Sequence, residues 1–145
     1  MSRKNLGICA NLTSKNQLEL CKNIFENINS EFDVSIIHDQ LTDAAKSINI
    51  PMLDSSNLWS YNGTVIAFSL QKVTQLINIP SNIKVIYMID SEPLDLGILL
   101  LDHNLFKAIS TNESRTKEYN RVLGDNIKLI NTTDTTSLIQ ELKNG

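Results

Sequence analysis

Asn62-Gly-Thr-Val-Ile-Ala-Phe-Ser-Leu-Gln-Lys-Val-Thr-Gln-Leu-Ile-Asn-Ile-Pro80, followed shortly by Ile83-Lys-Val-Ile-Tyr-Met-Ile-Asp90-Ser-Glu92, is the stretch that decides the fold. Two short runs rich in β-branched residues flank a segment of helix formers. Neither run alternates cleanly between apolar and polar, which suits strands covered on both faces. The stretch therefore reads as a βαβ unit. Parallel crossovers are almost always right-handed, so this unit belongs at the centre of an open parallel sheet with helices on both faces.

Working outward, Asn5 to Asn11 reads as a first strand, and the Ser14/Gln17 spacing is that of a capping box opening a helix. In that helix Leu18, Cys21, Ile24, Phe25 and Ile28 share one face. Phe32 to His38 reads as a second strand, Thr42 to Ile48 as one or two helical turns, and Ile50 to Asp54 as a short edge strand that tolerates Pro51. Ser55 to Tyr61 reads as loop. Within the central unit, Ser69 is placed to cap a helix that Pro80 closes. The run from Leu96 to Leu101 fits either a short helix or a buried connector. Phe106 to Ser110 is a strand, and the next helix starts at Thr111 to Ser114 and stops at Gly124, a left-handed cap. Ile127 to Asn131 is a last strand, and Asp134 caps a last helix packed through Leu138, Ile139 and Leu142. The expectation is one α/β, doubly wound, mostly parallel domain over residues 1–145, of Rossmann-like type.

Composition excludes several classes. Hydrophobic residues make up 41% of the 145-residue chain and charged residues 20%, a globular balance. No apolar run approaches a bilayer span and no signal peptide pattern opens the sequence, so a cytoplasmic protein with no membrane partner is expected. A net charge of -3 and a pI near 5.3 argue against general nucleic-acid binding, which needs a basic face to displace phosphate counterions. Cys9 and Cys21 fall at core positions and read as buried thiols rather than a disulfide or metal pair.

In open parallel sheets ligands bind outside the carboxyl ends of the strands, where strand order reverses. The loops that should gather there contain Asn11, Thr13 and Ser14; His38; Ser69; Asp90 and Glu92; and Thr111, Asn112 and Ser114. Their hydroxyls and amides, with free N–H groups at helix starts, suit a phosphate or a sugar hydroxyl, and equally suit helix capping. Asp90 and Glu92, with His38, are the candidate acid/base residues. Neither a G-x-G-x-x-G motif, a P-loop, a G-x-S-x-G elbow nor a Cys/His cluster is present, so no cofactor and no metal is expected.

The ending from Phe106 through Ser110, Ser114 and Gly124 to Ile130-Asn131 resembles the segment that closes the N-terminal Rossmann-like domain of GT-B glycosyltransferases. The stretch from Asn62 to Glu92 is similar to the middle of short glycosyltransferase-like proteins encoded by tailed phages, particularly those of marine cyanobacteria. GT-B enzymes bind the nucleotide-sugar with a second such domain, and this sequence reaches Gly145 before one begins. The resemblance therefore implies an acceptor-side half that acts with a donor-binding partner chain or without catalysis, in a host cytoplasm if phage-encoded. Its ligand would be a sugar or nucleotide. Two other readings stand beside it: an accessory protein that binds a protein partner through Trp59, Tyr61 and Leu96 to Leu101, and a small stand-alone enzyme that uses Asp90 and Glu92.

Overall fold

A computed structural model describes residues 4–10, 15–38, 49–90, 92–102, 104–124, 128–129 and 140–142. The chain runs β1 (Lys4–Cys9), α1 (Lys15–Ile28), β2 (Phe32–His38), β3 (Met52–Asp54), β4 (Asn62–Ala67), α2 (Leu70–Ile77), β5 (Asn82–Ile89), β6 (Phe106–Ser110), α3 (Glu113–Leu123) and β7 (Lys128–Leu129). All the strands lie in one seven-stranded sheet of order β3-β2-β1-β4-β5-β6-β7. Every neighbouring pair is parallel. This is the doubly wound Rossmann-like arrangement, and the order reverses between β1 and β4. The Asn62 to Glu92 unit supplies β4, α2 and β5, the middle of the sheet.

Side-chain alternation along the central strands sends apolar groups to both faces. Leu6, Ile8, Val34, Ile36, Ile66, Ile86 and Met88 pack on one side against Leu20, Cys21, Ile24 and Ile28 of α1 and against Leu142. Cys9, Ile37, Val65, Ala67, Val85, Tyr87 and Ile89 pack on the other against Leu70, Val73 and Leu76 of α2 and Tyr119 of α3. Each valine, leucine, isoleucine or methionine among them contributes roughly 1.5–3 kcal/mol when fully buried, which is why these runs carry almost no polar residues. Lys107 of β6 and the buried Glu141 form an ion pair that ties the helical residues 140–142 to the first face.

Local signals set the element ends. Ser69 accepts from Lys72 N at 3.2 Å and caps α2. Asn112 accepts from Arg115 N at 3.1 Å and caps α3, which ends at Gly124 in the left-handed region with φ 69°. Gly63, with φ 155°, opens β4 where a Cβ would stand 2.5 Å from the Asn5 carbonyl oxygen, so a glycine is required there.

One connection differs in detail from the sequence reading, and a second takes one of the two forms left open for it. Ser55–Ser60, expected as loop, is a 3-10 helix, because Asp54 accepts from Ser56 N at 2.9 Å and caps it while Leu58 is buried beneath. Leu96–Leu100 is also a 3-10 helix, capped by Asp95, with Ile98 buried and Leu96, Leu99 and Leu100 exposed. The helical turns expected for residues 42–48 and the Asp134 cap lie outside the described residues, as do Ser14 and Ile130-Asn131.

Candidate functional site

Parallel pairing puts Ala10, His38, Asp54, Ser69, Asp90 and Thr111 on one rim, the carboxyl edge of the sheet. Ala10 and Ser69 flank the reversal point between β1 and β4. Asn11, Thr13 and Ser14 lie outside the described residues. His38 ends β2, three strand spacings from β5, which is about 14 Å at the usual separation of neighbouring strands. The structure therefore does not bring His38 next to Asp90. The His38 Nδ1 is buried without a hydrogen-bond partner among the described residues.

Asp90 and Glu92 reach different partners. Asp90 Oδ1 accepts from the Thr111 hydroxyl at 2.7 Å, while the Thr111 N–H donates to the Ile89 carbonyl at 2.9 Å. The buried Ser110 hydroxyl donates to the same Ile89 carbonyl at 3.1 Å. The ends of β5 and β6 are thus stitched together by their own polar groups.

Glu92 sits at a junction of three elements. One of its oxygens, Oε1, accepts from the Leu70 N–H at 2.9 Å, the first amide of α2, and from the Tyr87 hydroxyl. The Tyr87 and Tyr119 hydroxyls lie 3.1 Å apart, with the rings edge to face at 6.3 Å between centroids. Tyr119 also donates to the Pro93 carbonyl at 2.9 Å. Tyr87 gives its one proton to Glu92 and Tyr119 gives its own to the Pro93 carbonyl, so the two hydroxyl oxygens are close neighbours in the network without a proton left to share between them. Burial, reinforced by the hydrogen bond to Glu92, pushes the Tyr87 hydroxyl far above the usual tyrosine value, so it stays a neutral donor. Burial likewise raises Tyr119.

α3 completes the clip. Glu118 Oε1 accepts from Leu94 N at 3.3 Å, and its second oxygen is held by Arg115 at 2.9 Å. Asp95 turns the chain into the next segment by accepting from Gly97 N at 2.8 Å. The positive end of α2 is therefore met by a carboxylate of the protein itself, with Ser69 satisfying the Lys72 amide. Of the other sequence candidates, Thr111 bonds Asp90, Asn112 caps α3, and Ser114 is exposed in the first turn of that helix.

The sequence reading passes over Tyr87, as one residue of a buried strand, and over Tyr119, and gives no hint that their hydroxyls organise the Glu92 junction. A tyrosine near the end of an otherwise aliphatic strand, with a glutamate five residues on, was the available signal. Among the described residues, His, Cys, Asp and Glu form no group suited to holding a metal ion. No helix there is long and apolar enough to cross a membrane. No protein-family model, no curated protein and no solved structure matches the chain.

Proposed function

We propose that this chain is a glycosyltransferase-like binding domain that presents a sugar or nucleotide ligand at its carboxyl rim and does not carry out transfer on its own. As the acceptor-side part of a two-part assembly, it would rely on a partner to hold the nucleotide-sugar. One observation supports this over a stand-alone enzyme: Asp90 and Glu92, the paired carboxylates nearest to general acid/base chemistry, both serve as acceptors for the fold's own donors. A carboxylate engaged in this way is poorly placed to take a proton from a substrate. What supports ligand binding is the rim itself: Ser69 stands at the reversal of strand order, and Thr111, Asn112 and Ser114 follow β6, two strands further along the same carboxyl edge.

The test is an NMR titration of the full chain with nucleotide-sugars and free glycans, run beside a transfer assay. The expected result is saturable movement of the Ser69, Thr111 and Asn112 amides with no turnover. Turnover that disappears in Glu92→Gln would overturn the non-catalytic reading. A rim unmoved by any sugar or nucleotide would overturn the ligand reading.

A second reading, a scaffold for a protein partner, has its own support in the exposed leucines at 96, 99 and 100, the last of them 89% exposed. Under that reading Leu100→Ser abolishes co-purification of the partner while leaving the rim amides unchanged.

A further inference from the structure

Away from the rim, a cavity of about 350 Å³ lies between the Ser55–Ser60 turn and α2, lined by Leu58, Trp59, Leu76 and Ile79 together with Ser55, Lys72, Gln75 and Asn78. We propose that it binds a neutral sugar ring, stacked on Trp59. This site stands on its own observations and does not depend on the function proposed for the rim.

Trp59 is the only tryptophan of the chain and is 63% exposed, although Leu58 beside it is buried and anchors the turn. An indole left in water beside a cavity of small-molecule size offers a flat apolar face to an occupant. The lining decides the chemistry of that occupant. Leu58, Leu76 and Ile79 with the indole form an apolar floor, while the Ser55 hydroxyl and the Gln75 and Asn78 carboxamides bring neutral hydrogen-bonding groups to the same space. Asn78 Nδ2 donates to the Thr74 carbonyl at 2.8 Å, which fixes the carboxamide and leaves Oδ1 as an acceptor for a ligand hydroxyl.

A purely apolar occupant would strip water from these amides without replacing their hydrogen bonds. Among the described residues no carboxylate lines the cavity, which argues against a cationic ligand. Lys72 is already engaged within the protein and does not call for an anionic one. A pyranose meets the lining on all counts: its C–H face lies on the indole and its hydroxyls meet the carboxamides at the edge.

Because Trp59 is the sole tryptophan, its emission reports this cavity directly. The full chain is titrated with methyl glycosides of the gluco, galacto, manno and N-acetylglucosamine series, with cyclohexanol and inorganic phosphate as counter-probes. The expected result is a saturable change in Trp59 emission with at least one glycoside in the millimolar range. Gln75→Ala, an exposed position whose substitution leaves the fold intact, should weaken that binding by about tenfold. Cyclohexanol and phosphate should leave the emission unchanged. The proposal is overturned if no glycoside gives saturation, if cyclohexanol or phosphate reproduces the change, or if Gln75→Ala binds as tightly as the native chain.

Discussion

The rim around β5 and the surface around Trp59 are built on opposite terms. At the rim, Asp90, Glu92, Pro93 and Leu94 each find a partner in β5, β6, α2 or α3. Around Trp59, and along the exposed leucines at 96, 99 and 100, large apolar side chains stand in water. The contrast separates two kinds of conspicuous residue. Carboxylates at a strand end attract attention as chemistry, yet here they close a junction of the fold; the indole and the leucines add little to the fold and so remain available to something outside it.

That contrast can be broken by substitution. Glu92→Ala should have the largest effect, because it leaves the Leu70 amide and the Tyr87 hydroxyl without an acceptor; a loss of about 2–4 kcal/mol in urea unfolding is expected. Tyr119→Phe should cost less, about 1–2 kcal/mol, since it removes the donor to Pro93 while the ring remains packed. Asn112→Ala should cost about 1 kcal/mol through the lost cap of α3.

Alkaline pH sharpens the same division. Burial pushes the Cys21 thiol up to about 12, and burial first, then Cys9 and Asp33, push the Tyr61 hydroxyl up to about 12. Their folded values lie above the unfolded ones of 9.0 and 10.0, so the unfolded chain gives up these protons first. The stability they contribute is complete below pH 9 and is lost as pH rises toward 12, by about 1.4 kcal/mol per pH unit for the buried Cys21 while only its unfolded form is ionised, and by less for the partly exposed Tyr61, which solvent screens. Urea midpoints measured across that window should fall, and Cys21→Ala should flatten the lower part of the decline. Trp59→Phe and Leu100→Ser should have the smallest effect, within about 0.5 kcal/mol of the native chain, as expected for surface positions.

How much of this was legible in the sequence follows from the range of each interaction. Ser69, Asn112 and Gly124 declare their roles within a few residues, and the parallel sheet follows from strands such as Val85 to Ile89 that carry no polar face. The 3-10 turn at Ser55–Ser60 was missed because its stability comes from Leu58 fitting the core as well as from the Asp54 cap. The Tyr87, Glu92 and Tyr119 junction joins residues up to 32 positions apart, and only the strand order brings them together. The apolar run around Tyr87 marks that tyrosine as buried and says nothing of where its hydroxyl ends, and no local signal singles out Tyr119.

A double-mutant cycle between Tyr87 and Glu92, with Tyr87→Phe, Glu92→Ala and the pair measured by urea unfolding, tests most directly whether the rim carboxylate holds the fold. A favourable coupling of about 1–2 kcal/mol is expected, as for residues that share one buried network. Strictly additive losses, or a Glu92→Ala chain more stable than the native one, would show instead that the glutamate is kept for something other than the fold.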